Sequence, residues 1–129
     1  MRLAPAKPLA DLVEKELQQQ VVSLFRACGW HGYHTHDSRR SQPGFPDIVL
    51  IRERVIYLEL KTEKGHLSDR QREWLRALLN AGAEVYLVRP RHLDMLARLL
   101  AHRGEPWLAR GQVVDTASVL REELRQEIG

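Results

Sequence analysis

Two carboxylates and one ammonium stand at spacings that could do chemistry. Asp47 follows Pro46 at the start of one β-rich run, residues 48–51, and Glu59 and Lys61 lie at the end of the next, residues 55–60. Side chains two apart on a strand share a face, so Glu59 and Lys61 point together while Leu58 and Leu60 point into a core. If the chain turns back at residues 52–54, Asp47 and Glu59 come to lie nearly opposite each other. Carboxylates placed so repel, and each raises the pKa of the other. A divalent cation removes that conflict. Mg²⁺ prefers oxygen ligands in octahedral geometry, keeps several waters, and uses a few carboxylates together with substrate phosphate. Held this way it polarises a phosphodiester and activates water, and a neighbouring lysine orients that water or offsets charge in the transition state. No serine–histidine or cysteine–histidine pair stands at a comparable spacing. An acid and a lysine two apart on a strand are, by themselves, more often solvent-facing charges. The Pro-Asp step, the intervening turn and the elements that follow give this pair its weight.

Those elements can be read from periodicity. Apolar residues at 9, 12, 13, 17, 21, 24, 25 and 28 form the stripe of an amphipathic helix, which Gly29 ends as a C-cap. Trp30 to His36 predicts a short strand, and residues 37–44 a loop rich in turn formers. The runs 48–51 and 55–60 predict a hairpin closed by Arg52-Glu53-Arg54. Ser68 with Gln71 three residues on has the spacing of a capping box. Trp74, Leu75, Leu78 and Leu79 then give a helix its apolar face, and Gly82 stops it. Residues 85–88 predict a strand closed by Pro90, and a helix follows from about Leu93 to Ala101. A closing helix is expected near Thr116 to Glu127, with Asp115 as its N-cap. A strand–helix–strand step of this length implies a right-handed parallel crossover. The expected fold is therefore α/β, a mixed central sheet flanked by helices. The organisation expected is a loose leader at 1–8, one domain at 9–102, and an extension at 103–129 that packs on the domain or forms a dimer contact.

The 129 residues suit a single core, and 43% hydrophobic with 29% charged residues suit a soluble globular chain. No apolar run reaches the ~20 residues of a membrane span. Nothing near the N-terminus reads as a signal peptide, so a cytoplasmic location is expected. The lone cysteine, Cys28, forms no internal disulfide and no zinc site, and reads as a small buried hydrophobe. The formal net charge of +3 is compatible with a polyanionic partner. Arginines 39, 40, 52, 54, 70, 72 and 76 gather around the carboxylate pair, where a solvated surface and a phosphate-binding face are equally natural readings. Trp74, at helical spacing, reads as core packing and not as a platform for stacking bases.

Pro46-Asp47 followed by Glu59-Leu60-Lys61 resembles the PD-(D/E)xK nuclease signature. The fuller runs Gly44 to Leu50, Glu59 to Thr62 and Gln71 to Leu75 resemble its VRR-NUC branch, the virus-type replication-repair nucleases. Gly29-Trp30 and Tyr33 to Arg40 are similar to stand-alone members carried by phages and bacteria. The resemblance covers roughly residues 11–93. It implies a restriction-endonuclease-like fold and a DNA endonuclease using Mg²⁺ or Mn²⁺, with Asp47, Glu59 and the Leu60 carbonyl as metal ligands and Lys61 as the catalytic lysine. Gln71 matches the glutamine that this branch places beside the site, although its spacing from Ser68 also suits a helix cap. Glu14 matches the glutamate of the family's first helix, with Glu16 as its rival. His34, His36, Ser38, Arg39 and Arg40 are expected to contact DNA phosphates; a zinc site built on the histidines is the weaker reading. Stand-alone members are associated with four-way junctions, which implies a junction-resolving homodimer. A flap, nicking or less selective repair endonuclease is the nearest alternative, and a DNA-binding module without catalysis the more distant one.

Overall fold

The computed structural model describes residues 7–35, 43–106 and 112–129. Helix α1 (Glu14–Ala27) leads into strand β1 (His31–His34). Strands β2 (Ile48–Ile51) and β3 (Val55–Leu60) form the hairpin, and α2 (Asp69–Asn80) crosses to β4 (Glu84–Val88). Helices α3 (Leu93–Ala101) and α4 (Gln112–Ile128) complete the chain. The four strands run in the order β1-β2-β3-β4, the first two pairings antiparallel and the third parallel. The fold is the α/β mixed sheet with flanking helices that the pattern predicts.

Period-two alternation sorts the sheet into two faces. Ile48, Leu50, Ile56, Leu58, Leu60, Tyr86 and Val88 pack with Leu17, Val21 and Phe25 of α1 and with the leucines of α3. Tyr57, Val85 and Leu87 face the other way, against Leu75, Leu78 and Leu79 of α2. Helix α4 serves both cores: Ala117 and Leu120 join the first, Leu124 and Ile128 the second. All five residues of β4, the strand at that end of the sheet, are buried. Covering an edge strand in this way removes a template for unwanted pairing.

The local punctuation is physical. Gly29 and Gly82 end α1 and α2 with φ of 82°, a left-handed conformation that glycine adopts without a Cβ penalty. Gly44 also has positive φ, and a Cβ there would lie 2.5 Å from the Arg70 backbone carbon. Position 44 thus brings the chain hard against the start of α2, just ahead of Asp47.

Several expectations need correction. The first helix does not begin at Leu9: residues Leu9–Asp11 form a 3-10 turn, and α1 starts at Glu14, leaving Leu9 and Val13 exposed. Asp115 is no N-cap; it lies in the first turn of α4, which begins at Gln112, where its negative charge still suits the helix dipole. Cys28 is only half-buried at the rim of the first core. Trp74 is half-buried and meets Phe45 edge-to-face at 5.1 Å, with Phe45 in turn meeting Tyr57 at 6.2 Å, so it packs on a surface ladder of rings beside α2.

The hairpin arginines belong neither to solvent nor to a phosphate-binding face. Arg52 donates to the carbonyls of Cys28, Leu100 and His102, and Arg54 to those of Leu99 and His102. Helix C-termini leave such carbonyls unpaired and carry partial negative charge, so two guanidinium groups cap α3 directly. Both also lie over the Trp30 ring, at 4.2 and 5.1 Å from its centroid. Arg54 further pairs with buried Glu84 at 2.7 Å, whose second oxygen accepts from Tyr86 Oη.

Candidate active site

Strand register brings the acids together. Ile48 pairs with Leu58, which sets Asp47 and Glu59 opposite each other one step beyond the ladder. By alternation both lie on the α2 face of the sheet. The Leu60 amide donates to Asp47 Oδ2 at 2.8 Å and fixes that carboxylate across the hairpin. Glu59 is only 1% exposed. Its Oε2 accepts from Gln71 Nε2 at 3.0 Å, while Oε1 is buried with no hydrogen-bond partner.

A buried carboxylate in that position resists ionisation. Burial foremost, then the charge of Asp47 beside it, push the Glu59 carboxyl up to about 9, whereas Lys61 pulls it down. The charge of Glu14, at the first position of α1, also raises it. Glu14 thus lies near enough for its charge to be felt at Glu59. Glu16 is engaged elsewhere: its Oε1 accepts from Lys7 Nζ at 2.8 Å and from the Val13 amide at 3.0 Å, capping the start of α1.

Gln71 combines two roles that looked like alternatives. Its Oε1 accepts from the Ser68 backbone amide at 2.8 Å, its own backbone amide donates to Ser68 Oγ, and the side-chain Nε2 reaches Glu59. The capping box thus aims the side-chain donor at the carboxylate. His34 ends β1 half-buried, and His36, Ser38, Arg39 and Arg40 lie outside the described residues.

The donor set suits a hard divalent cation that keeps part of its water shell. Among the described residues no group of three carboxylate, imidazole or thiol side chains converges, so a metal here would rest on Asp47, Glu59 and backbone oxygen. The unpartnered Glu59 Oε1 beside Asp47 is the feature that a cation would satisfy.

The VRR-NUC domain model matches residues 7–92, well over half of the chain. The chain belongs to the VRR-NUC family. That places it among nucleases of the PD-(D/E)xK type, hydrolases that process DNA and whose domains generally use divalent metals. A search of curated proteins finds no match. In this VRR-NUC chain no helix of the described residues is long and apolar enough to cross a membrane. The matched region ends at residue 92, so α3 and α4 lie beyond it.

Sequence reasoning missed Arg89. It is 4% exposed, and its guanidinium reaches the carbonyls of Thr62, Glu63 and Gly65, the turn that directly follows Lys61. No local signal marks it, because those partners lie 24 to 27 residues earlier in the chain.

Proposed function

We propose that this protein is a Mg²⁺- or Mn²⁺-dependent endonuclease that cuts branched DNA, with the four-way junction as its substrate. The observation that carries the metal-dependent reading is the buried Glu59 carboxylate, one oxygen unpartnered, set against Asp47. A divalent cation bound there would supply Lewis acidity to the scissile phosphate and to the attacking water. Asp47 and Glu59, with the Leu60 carbonyl, would hold it. The Leu60 amide fixes Asp47 and Gln71 fixes Glu59, so both carboxylates are set before substrate arrives. The Lys61 ammonium, whose charge lowers Glu59, would orient water or offset charge on the phosphorane-like transition state. A module that only bound DNA would gain nothing from a carboxylate buried beside phosphate.

Junction selectivity is supported by the resemblance to stand-alone members associated with branched DNA. A junction is two-fold symmetric and needs two opposed cuts. One chain offers one carboxylate pair, so the active form proposed is a two-fold dimer. The apolar residues of α4 named above are already used in the chain's own cores, so the dimer contact is not assigned to them.

The test is a labelled panel of duplex, single-stranded, flap and four-way junction DNA, incubated with Mg²⁺, Mn²⁺ or EDTA, beside sedimentation of the protein with and without DNA. The expected result is silence in EDTA, recovery with either metal, and paired cuts in the junction by a dimer. Strong cleavage in excess EDTA overturns the metal reading. A strict monomer that prefers flaps or nicked duplex overturns junction resolution and leaves a repair nuclease.

A further inference from the structure

The turn that follows Lys61 is held from below by charge. The Arg89 guanidinium donates to Gly65 O at 2.8 Å, to Glu63 O at 3.3 Å and to Thr62 O, which also accepts the Gly65 amide. Its other edge meets Glu127 of α4 in a two-pronged pair, at 3.1 and 2.6 Å. Gly65 in turn lies along the Lys61 side chain. A Cβ at position 65 would come 3.4 Å from Lys61 Cδ and 3.1 Å from Thr62 Oγ1. A second brace runs beside the first. Glu63 accepts from the Arg91 amide at 2.9 Å and from its guanidinium at 2.8 Å, and Arg91 continues to Glu123 of α4 at 3.1 Å.

We infer that Arg89, anchored by Glu127 on α4, is a positioning residue that holds the 62–65 turn against the stem of Lys61 and so sets where its ammonium stands. The inference rests on the nuclease reading of Lys61. It gives the C-terminal helix, which lies outside the matched family region, a part in the chemistry as well as in packing. A guanidinium suits the task because its planar fork serves three carbonyls and a carboxylate at once, which an ammonium on a flexible stem does not reproduce. Arg89 touches neither carboxylate of the site, so its effect must pass through the turn.

The test compares wild type with Arg89→Lys and Glu127→Gln, each alone and combined with Lys61→Ala. Amide hydrogen exchange over residues 61–66, without DNA or metal, reads the turn itself. Single-turnover cleavage with Mn²⁺, on whichever DNA wild type cuts, reads the chemistry, and fluorescence anisotropy in Ca²⁺ reads DNA affinity. Arg89→Lys is expected to speed exchange at 61–66 and to slow cleavage at least about tenfold, with affinity within about twofold of wild type. Glu127→Gln should act in the same direction but about three- to fivefold, since Arg89 retains its carbonyls. Adding Arg89→Lys to Lys61→Ala should cost less than about twofold more, because the two act through one group. Unchanged exchange, an unchanged rate, or fully additive losses each overturn the inference. Should Arg89→Lys fail to fold, Glu127→Gln at its partly exposed position carries the same readouts. An active wild type with a fully active Arg89→Lys overturns this inference alone, whereas an inactive wild type overturns the nuclease reading and the inference with it.

Discussion

The Gln71 amide is divided between a helix and a carboxylate: its oxygen accepts from Ser68 at 2.8 Å and its nitrogen donates to Glu59 at 3.0 Å. Gln71→Glu separates the two roles, because it keeps an oxygen for Ser68 but turns the donor facing Glu59 into a repelling oxygen. Cleavage should fall at least tenfold, about 1.4 kcal/mol of barrier, while circular dichroism still shows α2. An unchanged rate would assign Gln71 to capping alone.

Glu59 stands buried at a cost that a bound cation would offset. Glu59→Gln keeps the shape and removes a carboxyl that the fold holds protonated and the unfolded chain ionises, so in EDTA near neutral pH the variant should be more stable than wild type by about 1–3 kcal/mol, the usual penalty of an unsatisfied buried polar group. It should also cleave nothing. Thermal melts in EDTA decide the matter, and a destabilised variant would mean that the ionised carboxylate is paired in the apo fold.

Glu14 and Glu16 part company in the same way. Glu14→Ala removes a charge that acts on Glu59 and should slow cleavage by about tenfold. Glu16→Ala removes the cap on the Val13 amide and should lower stability by about 0.5–1 kcal/mol with the rate intact. The opposite pattern in kinetics and melts would hand the role to Glu16.

Arg54 belongs to the architecture. Its side chain and that of Glu84 are 7% and 4% exposed, so Arg54→Ala strands a buried carboxylate and should cost about 3 kcal/mol or more. The salt dependence of DNA binding should not change, since no phosphate contact is lost. A shallower salt slope in Arg54→Ala would place this arginine on DNA after all.

His92 makes stability depend on pH. Its Nδ1 accepts from the Arg89 amide at 3.0 Å and its Nε2 faces Glu123 at 3.0 Å, an arrangement that needs the neutral ring. Burial, the largest influence, pushes the imidazole below its ordinary value of 6.5, although Glu123 pulls the other way. The unfolded chain therefore binds the extra proton first, and this contribution is present above about pH 6.5 and lost as pH falls below it. Wild type should lose part of its stability advantage over His92→Gln between pH 7 and pH 5. A gap that widens on acidification would mean that the ring is charged in the fold.

The heart of the site was legible because it is local. Asp47 and Glu59 are twelve residues apart in one hairpin, and strand parity alone puts them on one face with Lys61. Gln71 was legible twice over, by its capping distance and by its family position. What escaped reading depends on distant partners. Arg52 and Arg54 find carbonyls 45 to 50 residues later, at the end of α3, and nothing near them in sequence distinguishes that fate from solvation. Arg89 and Glu127 meet across 38 residues. Asp115 misled because an acid suits the first turn of a helix as well as its cap.

The same hairpin carries a safeguard on fidelity. Were β2 and β3 to slip by one residue, Glu59 and Lys61 would turn into the leucine core and Leu58 and Leu60 out of it, an error that hydrophobicity forbids. A slip by two escapes that check, since every leucine stays inside while Asp47 comes to face Tyr57 or Lys61 instead of Glu59. Such a chain would be well patterned and inert. The guard against it stands at the far end of the hairpin, where Arg52 and Arg54 meet the last carbonyls of α3, contacts that a slipped register would shift. Two residues remote from the carboxylate pair would thereby hold it in register.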